Sequence, residues 1–319
     1  MKLDARTSFL VWLANKTGRS FRPNVSVAAM RAVYVDLNRR FGLKQKNGIV
    51  TQELTIPTSD GTTIGARLYR RSDAAGQVLP VLLYFHGGGF VMGDVASYDG
   101  LTRFLAYEGR IAVVSVDYRL GPEHRFPRAH EDALDAYAWL REHAASLGLL
   151  ADRIAVGGDS AGGSQAAGIA SYAEARGMVR PAFAFLIYPS LDGTARFPSR
   201  KQYTSGVPLT PETIAWFTQH STNGPADWSM PLLVPLDAPN PERLPPTYLL
   251  AAQHDPLVDE GRAYYERLRA AGVPVVYDLR PRLAHAFLNV AGFVPEAKRA
   301  VRAGIRATAA ALAPAGNSR

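Results

Sequence analysis

The stretch Gly158-Asp159-Ser160-Ala161-Gly162 carries the fold prediction. It follows the apolar run Ile154-Ala155-Val156 and precedes an alanine- and glycine-rich stretch that is typical of a helix. Ser160 is therefore expected at a strand-to-helix turn, which would present its hydroxyl to a substrate as a nucleophile. Gly158 and Gly162 lack the Cβ atoms that would collide where strand and helix cross. This motif also arises by chance, so the surrounding sequence has to support it.

A second motif, His86-Gly87-Gly88-Gly89-Phe90, directly follows the apolar strand that ends at Phe85. Three successive glycines allow a loop to bend so that its backbone N–H groups point at a ligand. Two such donors, together with the N–H of Ala161, would bind the oxyanion that forms when Ser160 attacks a carbonyl. A phosphate-binding turn is disfavoured because neither G-K-[ST] nor G-x-G-x-x-G accompanies the motif.

A serine nucleophile needs a histidine base and an orienting acid, which in this fold type follow in the order Ser, Asp or Glu, His. Asp255 follows the apolar strand 248–252, and His285 follows the last predicted strand, 273–279. Both residues are expected at carboxyl ends of strands, on the same side of the sheet as Ser160. Asp259 is an alternative acid, although its position at the start of a predicted helix favours a capping role.

The rest of the chain alternates apolar strands with helices, which predicts a mostly parallel sheet covered on both faces. Two alternating segments around Asp60-Gly61 predict an antiparallel pair in front of it. Residues 192–243, rich in Pro, Ser and Thr, break the rhythm and contain one clear helix near 210–220. We assign them, with the two helical segments of residues 1–46, to a cap over a core formed by 47–191 and 244–319. The further predicted strands are 50–56, 63–69, 81–85, 111–116, 154–156 and 183–187, and the core helices are 97–107, 129–146, 160–176, 259–271 and 295–313.

Composition limits the class of protein. The 319 residues are 47% hydrophobic and 20% charged, enough for a large core. No apolar stretch approaches 18 residues and no cleavable leader is recognised, which predicts a soluble, cytoplasmic protein. The absence of cysteine excludes disulfides, thiolate catalysis and cysteine-ligated metals, and it fits a reducing compartment.

The formal charge of +8 is concentrated in residues 1–50, where ten Lys and Arg residues face only Asp4 and Asp36. Such a segment could contact anionic lipid, an acidic substrate or nucleic acid. The charges occur singly or in pairs, which favours solvated helix faces, and aromatic residues are too sparse for a nucleic-acid platform. We therefore expect neither nucleic-acid binding nor stable membrane anchoring.

Five ordered motifs together resemble the hormone-sensitive-lipase-like family of α/β-hydrolase carboxylesterases, also called bacterial family IV esterases. The resemblance extends from about residue 48 to the end of the chain. Two departures are local: Gly121 replaces the family's Ala, and Ala286 replaces the Gly of a common H-G-F. The motifs are His86–Phe90, Asp117-Tyr118-Arg119-Leu120-Gly121-Pro122-Glu123-His124, Gly158–Gly163, Asp255-Pro256-Leu257-Val258-Asp259-Glu260 and His285-Ala286-Phe287.

The resemblance implies an eight-stranded α/β-hydrolase fold with a mobile helical cap, and hydrolysis of a small-molecule carboxylic ester without metal or organic cofactor. It implies Ser160 as nucleophile, His285 as base and Asp255 as acid. The implied oxyanion hole is formed by Gly88, Gly89 and Ala161, with Gly87 shaping the loop. His86 and the block 117–124 are implied to be structural.

Several interpretations stay open from the sequence. The same triad serves a deacetylase or amidase of a specialised metabolite. A non-catalytic ligand-binding homologue is a further alternative, disfavoured because the gibberellin receptors of plants, which resemble this family, lack the histidine that His285 retains. Aromatic residues near the cap suggest a confined apolar pocket for short to medium acyl chains. The last strand is a candidate sheet edge for homodimer formation. The pocket candidates are Trp12, Phe90, Tyr203, Trp216 and Phe217.

Overall fold

A computed structural model describes residues 2–17 and 24–314 of the chain. Within them, eight strands form one sheet in the order β1-β2-β4-β3-β5-β6-β7-β8. The pairs β1–β2 and β2–β4 are antiparallel, and every other neighbouring pair is parallel. The strands are β1 Ile49–Pro57, β2 Thr63–Arg71, β3 Leu79–Phe85, β4 Ala112–Asp117, β5 Leu149–Asp159, β6 Phe183–Ile187, β7 Thr247–His254 and β8 Val275–Ala284.

Helices pack against this sheet at the predicted places. The sequence predicts a turn and cap at Pro23-Asn24 between the first two helices, and Pro23 lies outside the described residues. The segment 192–243 contains α6, α7 and short 3₁₀ turns. The α-helices of the described residues are α1 Ala5–Lys16, α2 Val27–Phe41, α3 Asp99–Gly109, α4 Arg128–His143, α5 Ala161–Tyr172, α6 Ser199–Gln202, α7 Pro211–Ser221, α8 Val258–Ala270 and α9 Pro295–Ala311.

Each central strand contributes to two hydrophobic cores, one on each face of the sheet. Leu83 and Phe85 of β3 pack into the core that also holds residues of α4, α5 and α8. Leu82 and Tyr84 of the same strand pack into the opposite core, together with residues of α3 and α9. This division follows from the two-residue repeat of a strand, and it confirms the prediction of a sheet covered on both faces.

The parallel strands bring the predicted functional residues to one edge of the sheet. His86 directly follows β3, Ser160 follows β5, Asp255 follows β7 and His285 follows β8. These positions are the carboxyl ends of parallel strands, where open α/β sheets place their ligand sites. No helix in the described parts of the chain has both the length and the hydropathy needed to cross a membrane.

Candidate active site

Ser160 occupies the sharp turn that the sequence predicts. Its φ and ψ angles are 54° and −115°, a conformation that few residues other than glycine adopt. The turn closes because neighbouring positions carry no side chain: a Cβ on Gly158 would collide with the backbone of Gly162, and one on Gly162 would collide with the Phe85 carbonyl. The Ser160 hydroxyl consequently points away from the backbone, towards the base.

The structure brings the three predicted triad residues into one row. Ser160 Oγ lies 2.9 Å from His285 Nε2. His285 Nδ1 lies 2.8 Å from Asp255 Oδ2 on the opposite side of the ring. Asp255 and His285 are only 1% and 4% exposed. An acid on Nδ1 favours the tautomer in which Nε2 accepts a proton from the serine.

The alternative acid, Asp259, has a different partner. Its Oδ2 accepts a hydrogen bond from the backbone N–H of Ser199 at 2.9 Å, in the segment 192–243. Asp255 Oδ1 accepts from the N–H of Leu257 at 2.8 Å, which leaves Oδ2 directed at the imidazole. The geometry therefore favours Asp255 as the group that orients His285, whereas Asp259 holds α6 against the core.

The glycine loop offers free amides beside Ser160. Gly88, Gly89 and Ala161 line the same cavity as Ser160, and no described residue accepts a hydrogen bond from their N–H groups. Gly87 differs, because its N–H donates to Asp159 Oδ1 at 2.9 Å. Gly88 and Gly89 have φ angles of 124° and 63°, which aim the loop at the cavity. The arrangement can bind a developing oxyanion through Gly88, Gly89 and Ala161, while Gly87 anchors the loop.

His86 and the block 117–124 make structural contacts. The His86 ring stacks on Tyr118 with centroids 4.4 Å apart, and its Nδ1 lies 2.9 Å from the Gly87 carbonyl oxygen. Burial lowers the pKa of the His86 imidazole. Arg119 pairs with Asp132 and Asp60, the latter at 2.7 Å. These contacts hold the glycine loop and the loop after β4 together behind the site.

In a comparison with known protein families, residues 82–289 match a family of proteins with the alpha/beta hydrolase fold. The chain belongs to the α/β-hydrolase fold family. An ethyl acetate hydrolase of Pseudomonas putida is 41% identical over 77% of this chain and 78% of its own length. Esterase LipI of Mycobacterium tuberculosis is 43% identical over 76% of each chain. A solved ester hydrolase from the Lake Arreo metagenome superposes with a TM-score of 0.92 at 33% identity, covering 97% of this chain and 98% of that one.

The α/β-hydrolase fold predicted from the sequence is thus confirmed, and the esterase names of these relatives agree with the predicted hormone-sensitive-lipase-like family. The motifs were sufficient to predict this fold because each of them lies at the end of a strand. The sequence did not predict that Asp159 is the centre of a hydrogen-bond network, because its hydrogen-bond donors come from distant segments of the chain.

The cavity that Ser160 lines has a volume of about 1420 Å³ and a mostly apolar lining. Its walls come from α1, α2, the glycine loop, α7 and the segment before α7. This volume exceeds the 300–1,000 Å³ or so of most small-molecule sites. The apolar lining agrees with the pocket expected from the sequence, and the cavity as a whole is larger than a pocket that would enclose only a short acyl chain.

Two of the predicted pocket aromatics line the cavity and three do not. Phe90 and Phe217 are lining residues. Trp216 is a correction: it is 4% exposed and packs against Met30 and Val91 beneath α2. Trp216 turns from α7 towards α2, whereas its neighbour Phe217 faces the cavity.

Tyr203 and Trp12 are the other corrections. Tyr203 lies behind the site, where its ring contacts His254 at 6.1 Å and its hydroxyl accepts from Gln253. Trp12 is 54% exposed on the outer face of α1, while Leu10, Val11 and Leu13 of that helix line the cavity. The amphipathic pattern of α1 was too weak to assign its inner face from the sequence.

The two departures from the family motifs have local explanations. A Cβ on Gly121 would collide with the carbonyl oxygen of His220 at the end of α7, so glycine allows this close approach. Ala286 has φ 60° and ψ 23°, the left-handed region that glycine adopts more readily. Ala286 therefore carries strain directly beside His285.

Proposed function

We propose that this protein is a serine carboxylesterase that hydrolyses short- to medium-chain acyl esters through an acyl-enzyme intermediate. The row of Ser160, His285 and Asp255 beside three unpaired backbone amides carries this proposal. The relatives named ethyl acetate hydrolase and esterase support the same reaction class.

The reaction follows from the positions of the groups. His285 Nε2 takes the proton of Ser160 as Oγ attacks the ester carbonyl carbon, and Asp255 stabilises the resulting imidazolium. The N–H groups of Gly88, Gly89 and Ala161 bind the tetrahedral oxyanion. The C–O bond to the alcohol then breaks, and His285 returns its proton to the leaving oxygen. Water repeats the sequence on the acyl-enzyme, releasing the carboxylic acid and restoring Ser160.

The cavity supports the substrate class. Its apolar lining favours an acyl chain over a charged group, and its volume leaves space for both the acyl and the alcohol portion of an ester. We infer that α1, α2 and residues 192–243 act as a cap, because together with the glycine loop they line most of the wall opposite Ser160.

The experiment is a series of p-nitrophenyl esters from acetate to palmitate, measured on wild type and Ser160→Ala. We expect the highest kcat/KM between acetate and octanoate, and a loss of at least about 10³-fold in Ser160→Ala. Ser146→Ala is the control, since Ser146 is an exposed residue that bonds to the His143 carbonyl. Full activity of Ser160→Ala would contradict the mechanism. Parallel assays with p-nitroacetanilide test the amidase alternative.

The edge strand supports a proposed homodimer. β8 lies at the end of the sheet, with β7 as its only neighbour among the described strands. Pairing of two β8 strands across a two-fold axis would satisfy their unpaired backbone groups. Light scattering tests this, and a monomeric mass contradicts it.

We also propose a cytoplasmic location, in keeping with the absence of cysteine, and cell fractionation tests that separately.

A further inference from the structure

A buried carboxylate lies directly beside the nucleophile. Asp159 precedes Ser160 and is 1% exposed. Its Oδ1 accepts from the Tyr84 hydroxyl at 2.7 Å and from the Gly87 N–H at 2.9 Å. Its Oδ2 accepts from the hydroxyls of Tyr98 at 3.1 Å and Tyr188 at 3.2 Å. Four donors thus satisfy both oxygens of the carboxylate, as a buried charge requires.

The network continues from Tyr98 to a helix outside the core of the fold. The Tyr98 hydroxyl oxygen lies 2.7 Å from the hydroxyl of Tyr34, in α2. Since Tyr98 uses its proton on Asp159, Tyr34 donates to Tyr98. The Tyr34 oxygen in turn accepts from Asn289 Nδ2 at 3.1 Å. Each member of the network therefore donates a hydrogen bond to the next: Asn289 to Tyr34, Tyr34 to Tyr98, and Tyr98 to Asp159.

Both ends of this hydrogen-bond network lie beside residues of the proposed active site. Asn289 lies four residues after His285, in the 3₁₀ turn Phe287–Val290. Asp159 binds the N–H of Gly87, which directly precedes the two oxyanion-binding glycines. A Cβ on Gly87 would collide with the Asp159 carboxylate, so loop and carboxylate are in direct contact. A shift in the network consequently moves the oxyanion loop.

We propose that Tyr34 is a positioning residue: its hydroxyl, supplied by α2, fixes Tyr98 and Asp159 and thereby holds the glycine loop in the geometry that binds the oxyanion. This inference rests on the proposed esterase function. Hydrogen bonds in such buried chains polarise one another, so loss of one member weakens the others. Without the Tyr34 hydroxyl, the Tyr98 hydroxyl loses the hydrogen-bond donor that lies nearest to it, and the Asn289 amide loses an acceptor.

Removal of the hydroxyl leaves α2 attached to the protein. Arg31 of the same helix donates to the Val91 carbonyl at 2.8 Å and to the Gly121 carbonyl at 2.8 Å, and it pairs with Glu123. The ring of Tyr34 remains in a Phe variant and continues to line the cavity. The effect of Tyr34→Phe should therefore be local to the network.

The test measures kcat and KM of Tyr34→Phe with p-nitrophenyl acetate and p-nitrophenyl hexanoate. We expect kcat to fall about tenfold with KM unchanged, by the same factor for both esters. Tyr137→Phe is the matched control: its hydroxyl donates to the Val179 carbonyl at 2.7 Å, away from the site, and its removal should leave kcat unchanged. A kcat of Tyr34→Phe within twofold of wild type, or a loss that depends on acyl length, overturns the proposal.

Two further measurements separate positioning from a structural role. In a Tyr98→Phe background the acceptor of the Tyr34 hydroxyl is absent, so adding Tyr34→Phe should lower kcat less than twofold. Independent, multiplicative losses overturn the coupling. In inactivation by diethyl p-nitrophenyl phosphate, Ser160 attacks phosphorus, His285 takes its proton, the amides bind the phosphoryl oxygen and p-nitrophenolate leaves, so no acyl-enzyme hydrolysis is involved. The rate of this inactivation should also fall about tenfold in Tyr34→Phe. This readout remains valid if wild type hydrolyses none of the esters, an outcome that would reject the proposed function instead.

Discussion

Asp255 and His285 directly follow two residues that pair with each other across the sheet, His254 of β7 and Ala284 of β8. The contact of 2.8 Å between Asp255 Oδ2 and His285 Nδ1 is therefore set by strand register. A slip of one residue would turn the side chains to opposite faces of the sheet. The candidate acid and base are held in place by two paired strands rather than by loops alone.

Replacement of the acid should reduce turnover while leaving the fold intact. We expect Asp255→Asn to lower kcat by about 10³- to 10⁴-fold with little change in KM, because an amide favours the wrong imidazole tautomer. Asp259→Asn is the matched control, since Asp259 binds the Ser199 N–H and not the imidazole. Steady-state kinetics on both variants decide the assignment; a larger loss in Asp259→Asn would transfer the role to that residue.

A side chain in the glycine loop should disrupt the oxyanion amides. Gly88 has φ 124°, and a Cβ there would collide with the Met92 carbonyl oxygen. We expect Gly88→Ala to lower kcat by about 10²-fold or more. Gly177→Ala serves as control, because Gly177 has φ 74° in open space. That variant should lose only about 1 kcal/mol of unfolding free energy and keep its kcat. Equal kcat in the two variants would contradict the proposed oxyanion site.

The strained residue beside the base offers a stabilising change. Ala286→Gly should leave the free energy of unfolding unchanged or raise it by up to about 1 kcal/mol, because relief of the left-handed strain is partly offset by unfolded-state entropy. Ala286→Val should destabilise the protein and lower kcat, since β-branched residues rarely adopt this conformation. Urea unfolding of both variants is the measurement. A Gly variant that is less stable than wild type by more than about 1 kcal/mol would show that the strain is absent.

A buried ion pair makes stability depend on pH. Glu260 Oε2 accepts from Arg200 at 2.9 Å, and Oε1 accepts from the Leu191 N–H at 2.9 Å. Burial raises the pKa of the Glu260 carboxyl to about 7, although Arg200 opposes the rise. The folded state then holds this proton more tightly than the unfolded state, so the contribution of Glu260 to stability is complete below about pH 4.5 and is lost as the pH rises to about 7.

The Glu260 prediction is measured by urea unfolding between pH 4 and 8. The unfolding free energy of wild type minus that of Glu260→Gln should fall as the pH rises from about 4.5 to 7 and then level off. Glu242→Gln is the control at each pH, because Glu242 is an exposed residue. A difference that increases with pH would mean that Arg200 lowers the carboxyl pKa more than burial raises it.

The fold was predictable because its signals are local. Apolar runs identified the strands, and the motifs at their ends identified Ser160, Asp255 and His285. The extent of β5 was underestimated, at 154–156 instead of Leu149–Asp159, because the polar residues Asp152 and Arg153 interrupt its apolar pattern. The structure continues the strand backwards to Leu149, which pairs with Leu79 after a register shift.

The cavity walls and the Asp159 network were not predictable to the same degree. Membership of the wall depends on which face of a helix turns inward, and Trp216 and Phe217 differ only in that respect. The network joins Tyr34, Tyr98, Asp159 and Asn289, which are far apart in the sequence. No periodicity connects such positions, so only the assembled fold shows that they meet.

The contact between Phe217 and the glycine loop limits how this enzyme can be re-engineered. The Phe217 ring occupies the space that a Cβ on Gly89 would fill, so α7 and the loop are complementary in shape. A chimera that exchanges residues 192–243 for the equivalent segment of a relative should keep its turnover only if the donor segment supplies a ring at this position. Directed evolution of acyl selectivity should therefore vary residue 217 and its loop neighbours together, as one library.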